Sequence, residues 1–464
     1  MPFEPSRPVS LSFYQTLDRE QVLAMQWQKL RRQLAYLAAD NPHYRDKLAK
    51  AGIDPARIQS LADFRHIPFS DKAEFVADQN AYPPFGRRLG IARERVALIA
   101  MTSGTSGQGQ EIHGRSAHDL LMVGYRHWLA FELAGLRAGD LVLNATPSGG
   151  VTAGGWGPPE GFRFGGCTVF HLGGVFSTEQ IVGFLGRLGE LDALYASTNY
   201  VNTLTEACRR HGFEPRRQLP RLRCLIFAAE GYPPEWVDRM AAFWGCPLTE
   251  AYGSTQSIGY AYGQAAGAPD RRPNGRGMMH GFEWLNLNEI LDPETLRPVL
   301  PGEEGELVLT NLDIEASPIL RFRTGDRVRY LPHSESATGL PFDGIETGTI
   351  GRYDDMLKIR GNNVWPQAVD EAIFAHAEVA EYAGSVEVDE GGRTDVVVRL
   401  AFHPGAPAEG DARQALLARL AEAIKTKTNV SMRLVVVPRD SLPTFTYKTR
   451  RWSDRRQQGY ARGV

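Results

Sequence analysis

From residue 96 to residue 227, short β-forming runs alternate with stretches of helical period, and this alternation restricts the chain to a layered α/β fold. The runs fall at 96–101, 141–145, 167–172, 193–196 and 222–227, and the helical stretches include 117–133 and 178–188. A strand, a helix and a second strand in succession pair in parallel, because the helix carries the chain back across one face of the sheet. Upstream, Leu23, Trp27, Leu30, Leu34 and Leu37 recur at spacings of three and four and predict one buried face of a helix over 18–40, ended by Asn41 and Pro42. Residues 283–330 change to strands separated by turns, a β-rich subdomain. After Gly351 the pattern changes again, to strands at 396–402 and 434–437 and an amphipathic helix at 412–424. At 464 residues the chain is too long for one ordinary core. The expected architecture is a large N-terminal domain, 1–350, of α/β layers with a β-rich subdomain, then a small α+β C-terminal domain, 351–464.

Charge narrows the chemistry. Lysine plus arginine (52) nearly balance aspartate plus glutamate (54), a net of -2, so no chain-wide basic field argues for nucleic acid or an acidic membrane surface. Residues 1–13 lack an apolar segment of signal-peptide type, and no later stretch approaches the ~20 apolar residues of a membrane span. A soluble, cytoplasmic protein acting on small molecules is expected. Cys167, Cys208, Cys224 and Cys246 lie far apart without a C-x-x-C pair, so buried free thiols are expected in place of a disulfide framework or a zinc ribbon.

Four segments carry candidate chemistry. Thr102-Ser103-Gly104-Thr105-Ser106-Gly107-Gln108-Gly109-Gln110 directly follows the run 96–101. Hydroxyls and backbone N–H groups in a glycine-rich turn can wrap polyphosphate oxygens, because no Cβ blocks the approach. Taken alone it is equally a flexible turn, neither a Walker loop nor a G-x-G-x-x-G fingerprint. The others are Glu250-Ala251-Tyr252-Gly253-Ser254-Thr255-Gln256, Arg321-Phe322-Arg323-Thr324-Gly325-Asp326, and Gly351-Arg352-Tyr353-Asp354-Asp355 continuing to Gly361. A Thr-Gly-Asp turn is common, and an Arg/Asp-rich segment is usually a solvated face. In combination, Asp326 can accept both hydrogen bonds of a ribose diol, a nearby Arg can meet a phosphate with two bonds, and Thr255 can hold an α-phosphate.

Order and spacing of these segments resemble the adenylate-forming ligases, the family of acyl-CoA synthetases, peptide-synthetase adenylation domains and luciferases, and within it the phenylacetate-coenzyme A ligase group. The likeness takes in Asn41-Pro42-His43-Tyr44-Arg45, Ala51-Gly52-Ile53-Asp54-Pro55, Ile67-Pro68-Phe69-Ser70-Asp71-Lys72 and Leu442-Pro443-Thr444-Phe445-Thr446-Tyr447-Lys448, nearly the whole chain. It implies that 102–110 grip the β,γ-phosphates of ATP and that Ala229, Glu230 and Gly231 lie along adenine. Tyr252, Gly253, Ser254 and Thr255, with Glu250 and Ala251 leading into them, would continue the nucleotide floor, with Thr255 on the α-phosphate. Asp326 would bind ribose and Arg352 ribose or phosphate. Asp354 would be the hinge of a mobile C-terminal domain, Gly361 would lie beside the pantetheine tunnel, and Lys448 would bridge the substrate carboxylate and the α-phosphate. A carboxylate approaching a polyanion needs concentrated positive charge from Lys, Arg and magnesium. Lys448 would then obstruct the thiol, and rotation of the small domain would remove it. By position alone Lys448 is a solvated residue in a basic tail with Arg450, Arg451, Arg455 and Arg456.

Two features depart from the family pattern. Gly109 and Gln110 stand where many members have Pro and Lys, though the phenylacetate-ligase group also lacks that Lys. Gln256 stands where the pattern Tyr-Gly-x-Thr-Glu carries its magnesium-binding carboxylate, and an amide oxygen is a weaker ligand for a hard dication. By resemblance the acyl pocket is lined by 149–156 and 197–200, with Gly154 and Gly155 opening a slot and Trp156 and Tyr200 stacking on a ring; as plain loop and core residues they have an ordinary explanation too. Cys246 occupies a place where some relatives bind zinc, but the companion Cys/His cluster is absent, so no zinc is expected. The expected reaction is activation of an aryl or arylalkyl acid with ATP and Mg2+ to acyl-AMP, then transfer to coenzyme A. A carrier protein or an amine as acceptor, or a degenerate non-catalytic nucleotide binder, are the alternatives; a homodimer stays open.

Overall fold

The computed structural model describes residues 10–102, 109–148, 152–228, 232–259, 261–266, 271–360, 362–388, 394–407, 409–443 and 451–456. Ser103, Gly104, Thr105, Ser106, Gly107, Ala229, Glu230, Gly231, Gly361 and Lys448 fall outside these, as does the side chain of Asp354. Two compact units divide the chain, Met1–Ala229 with Phe243–Thr347, and Glu230–Ala242 with Gly348–Val464.

The first unit is built on one long sheet. Thr168–Gly173, Leu141–Pro147, Ala193–Ser197, Cys224–Ala228 and Leu248–Tyr252 lie side by side in parallel. Ala193–Ser197 is buried at every position, as expected of strands covered on both faces. The sheet then turns antiparallel through Ala261–Ala266, Met278–Gly281, Gly344–Glu346, Phe322–Leu331, Glu304–Asn311 and Asn286–Leu291, the β-rich part. Helices start where side chains cap them: Asp18 with Gln21 at Arg19–Asp40, and Ser116 with Asp119 at Ala117–Leu133. Asn41 ends the first of these and caps the next, Pro42–Lys50, so the chain turns there instead of leaving helix.

One expectation needs correction. Val96–Met101 does not join the parallel layers; it pairs antiparallel with Ile112–Ser116 in a separate ribbon. Ten residues, 102–111, separate the two strands, too few for the crossover that a parallel pair requires, which leaves antiparallel pairing. Gly154, Gly155 and Trp156 lie in a helix, Ala153–Phe164, despite Pro158 and Pro159, and Trp156 is buried in the main core. It packs closely on Ala117–Leu133, where a Cβ on Gly161 would come within 2.3 Å of the His127 Cβ.

The second unit carries a four-stranded sheet ordered Arg433–Val436, Thr394–Phe402, Val379–Val388, Trp452–Asp454, with Pro366–Phe374 and Gly410–Thr428 supplying Val369, Ile373, Leu416, Leu420 and Ile424 to its core. Arg451 is no solvated tail residue: it pairs with Glu381 at 2.6 Å and Asp370 at 3.4 Å. Among the described residues no helix is long and apolar enough to cross a membrane. All four cysteines are free, and burial pushes Cys208 and Cys246 up to about 12.

Buried histidines make the first unit acid-sensitive. Burial holds His127 and His280 down at about 4, against an unfolded value of about 6.5. The stability these two contribute is complete above about pH 6.5 and is lost as pH falls toward about 4, because only the unfolded chain takes up the protons. Together they set a slope of about 3 kcal/mol per pH unit in that window. Urea midpoints measured at several pH values should show it, and His127→Gln should remove roughly half; an equal slope in the variant would assign the sensitivity elsewhere.

Candidate active site

Ala228 and Tyr252 end adjacent parallel strands, and ligands of open α/β sheets bind beyond such carboxyl ends. Here the Tyr252 hydroxyl donates to the Asp326 carboxylate, joining residues 74 apart. Asp326 is set by a bulge. Between the pairs Glu306–Arg327 and Val308–Arg323, three residues on one strand face one on the other. Gly325 takes φ 72, the Thr324 hydroxyl donates to the Leu307 carbonyl at 2.7 Å, and the Asp326 N–H donates back to that hydroxyl at 3.0 Å. Arg321 is turned inward to the buried Glu289 at 2.9 and 3.0 Å, and Arg323 to Glu306, so both flanking arginines serve the scaffold.

The turn after Tyr252 is held from below by two buried guanidinium groups. Arg115 donates to the Thr255 carbonyl at 2.8 Å and the Ser317 carbonyl at 3.2 Å. Arg126 donates to the Ser257 carbonyl at 3.2 Å and the Leu285 carbonyl at 2.7 Å. Burial lowers Arg115 to about 10 and Arg126 to about 9, which leaves both charged at neutral pH against the carbonyls of this turn. The Thr255 hydroxyl accepts from the Ala153 N–H at 3.5 Å, at the positive end of Ala153–Phe164. Ser254 and Ser257 bond each other's backbone N–H groups at 2.7 and 3.1 Å and tighten the turn.

Thr102 and Glu111 close the neck of the glycine-rich segment. The Thr102 N–H donates to the Glu111 carbonyl at 3.0 Å, and the Glu111 N–H to the Thr102 hydroxyl at 2.9 Å. Gln79 clamps the same neck, accepting from the Ile112 N–H at 2.6 Å and donating to the Gln110 carbonyl at 3.2 Å. The Glu111 side chain accepts from the Gln256 amide. It also meets His113 Nε2 at 3.2 Å, and His113 Nδ1 meets Arg88 at 3.2 Å.

Thr102, Tyr252, Thr255, Gln256 and Asp326 thus lie within one connected region of the first unit. Glu250 and Ala251 are buried in the strand before the turn, and Gly253 is exposed. Tyr200 opens the helix Thr198–Arg210, its hydroxyl 3.3 Å from the Thr178 hydroxyl. Arg352 is exposed in the second unit, where Asp354 lies on the turn Tyr353–Asp355. Sequence reasoning missed Glu111, His113 and Arg115, all fully buried. Ionisable residues at every second position beyond the glycine-rich segment were the available signal, since alternate strand positions share a face. Among the described residues no group of three or more His, Cys, Asp or Glu could cage a metal. Glu111 is fully buried and its carboxylate already meets Gln256 and His113, which leaves the Gln256 amide oxygen as a single weak donor, compatible with a divalent cation only where phosphates and water supply the remaining ligands.

Comparison with known proteins adds a lineage. Residues 38–312 match the AMP-binding enzyme family and residues 361–456 the AMP-binding enzyme C-terminal domain. The phenylacetate-coenzyme A ligase of Thermus thermophilus is 30% identical over 443 residues, 92% of this chain and 95% of that protein. That of Aromatoleum evansii is 30% identical over 461 residues, 98% and 99% respectively. A 2-hydroxyisobutyryl-CoA ligase solved in the postadenylation state shares the fold, with TM-score 0.84 at 22% identity over 100% of this chain and 96% of that one. By the extent of these matches the chain belongs to the AMP-binding enzyme family.

Proposed function

We propose that this protein is an AMP-forming acid–coenzyme A ligase of the phenylacetate-ligase type: an aryl or arylalkyl carboxylate and ATP give acyl-AMP and pyrophosphate, and coenzyme A then displaces AMP. The observation that carries the reading is the contact of Tyr252 with Asp326 beyond the ends of the parallel strands, which puts a ring and a diol-binding carboxylate side by side. In this reading the ring supports the adenine end and Asp326 holds the ribose. Arg115 and Arg126 keep positive charge under the Thr255 turn, where the α-phosphate and the attacking carboxylate meet. Magnesium, bound with the triphosphate, supplies further charge neutralisation. Residues 351–464 act as the mobile domain, with Asp354 as hinge, Gly361 at the coenzyme A channel and Lys448 delivered for the first half-reaction. The C-terminal family match and the resemblance of these positions support that assignment.

Acid-dependent exchange of labelled pyrophosphate into ATP, run over a panel of acids, is the test. Arylalkyl acids are expected to give the fastest exchange, followed by thioester once coenzyme A is added. No exchange with any acid would make the chain a nucleotide binder; exchange without thioester would shift the acceptor to a carrier protein or an amine.

A further inference from the structure

We propose that the helix Lys72–Ala81 is the clasp of the phosphate-gripping segment, with Gln79 as its positioning residue, and that it sets how far the neck of 102–110 stands from the ribose carboxylate of Asp326. The inference rests on the ligase reading above. The Glu111 N–H and carbonyl both face Thr102, so the Gln110 carbonyl and the Ile112 N–H, on the two flanking peptide groups, face the opposite way. Gln79 meets both with one side chain: its oxygen accepts the Ile112 N–H at 2.6 Å, and its NH2 group donates to the Gln110 carbonyl at 3.2 Å. A side-chain amide so placed does what the backbone of a neighbouring strand would do along that edge. Because an N–H can only donate and a carbonyl can only accept, both ends of the Gln79 amide are fixed.

Val76 lies one turn earlier on the same helix face. It packs against Gly109, which takes φ 93 and where a Cβ would come within 3.3 Å of the Val76 Cγ1. Helical spacing thus delivers two successive holds on the returning chain, one on Gly109 and one on Gln110 with Ile112. The other side of the helix is fixed to the strand that carries Asp326. Phe75 is buried and stacks on Phe322, the first residue of Phe322–Leu331, with ring centroids 5.3 Å apart. Ser70, just before the capping Asp71, donates its N–H to the Arg321 carbonyl at 3.0 Å and accepts the Arg323 N–H at 2.9 Å. Glu74 is held by Lys47 at 2.6 Å and by His43 at 3.0 Å. One helix therefore reaches from the ribose strand to the phosphate segment, and releasing Gln79 would loosen the grip on the outer phosphates while the Asp326 and Thr255 positions keep their own supports.

Calorimetric titration of the whole protein with Mg2+–ATP and with AMP tests this. Gln79→Met keeps the length of the side chain and removes both hydrogen bonds. It is expected to weaken ATP by about five- to thirtyfold while AMP, which has no β- or γ-phosphate, stays within about twofold. In pyrophosphate exchange the same variant should raise the KM for ATP by a similar factor and leave that for the acid within about twofold. Gln79→Asn carries the same amide on a shorter stem that cannot span both partners, and should fall between methionine and the wild type; it keeps the test open if Gln79→Met fails to fold. Equal loss of ATP and AMP would make Gln79 a merely structural contact, and unchanged ATP affinity in either folded variant would remove it from the site; each overturns this assignment alone. Wild-type protein that binds no ATP overturns the ligase reading along with it.

Discussion

Lys448→Ala is expected to slow acyl-adenylate formation by about a hundredfold or more, the usual scale for removing one group that stabilises developing charge. Thioester formation from supplied acyl-AMP should stay within about threefold of the wild type, because in the proposed scheme the lysine leaves the site before that half-reaction. The reason is electrostatic: two anions must approach before the bond forms, and without a cation their repulsion adds directly to the barrier. Leu442 is buried just before the segment 444–450, and Trp452, whose indole N–H donates to the Tyr382 hydroxyl at 3.0 Å, is buried just after it. With the chain anchored on both sides, the substitution is expected to leave the second unit folded. Pyrophosphate exchange and the thioester reaction, each measured separately, decide it. Equal loss in both would refute a division of labour by domain movement.

Arg115→Met should destabilise the first unit by about 3–5 kcal/mol, the cost of leaving two buried carbonyls without their donor and the nearby buried Asp119 without a compensating cation. Its guanidinium holds the Thr255 and Ser317 carbonyls and lowers the charge penalty on the buried Asp119, which in turn accepts the N–H groups of Glu315 at 2.9 Å and Ala316 at 3.1 Å. Methionine fills much of the volume but offers no donor, so two carbonyls and a carboxylate are left buried without their cation. Arg115→Lys keeps the charge and loses the fork, and should fall between the two. Urea unfolding followed by the fluorescence of the buried Trp244 and Trp284 reads the change. A loss below about 1 kcal/mol would mean that the turn is secured by other contacts.

Much of the fold was legible because its causes are local. The helix expected over 117–133 is found as Ala117–Leu133, since Ser116 and Asp119 cap it and its apolar period sets its buried face. The strands expected near 193–196 and 222–227 are found as Ala193–Ser197 and Cys224–Ala228. Less legible was the run holding Gly154 and Gly155, which lies in the helix Ala153–Phe164. The glycines of this region serve helix packing: a Cβ on Gly157 would come within 2.9 Å of the His127 ring, and one on Gly124 within 3.0 Å of the Glu160 carbonyl. Propensity was overruled there by the close approach of two helices, a contact no local window contains.

The candidate site divides along the same line. Glycine-rich spacing, the Tyr-Gly turn and the Thr-Gly-Asp turn could be recognised one segment at a time, because each is carried by consecutive residues. That Tyr252 touches Asp326 across 74 positions, and Gln256 touches Glu111 across 145, could not. Such meetings depend on the order in which strands line up in the sheet, and that order is chosen by burial of the whole core, not by the spacing of any one motif.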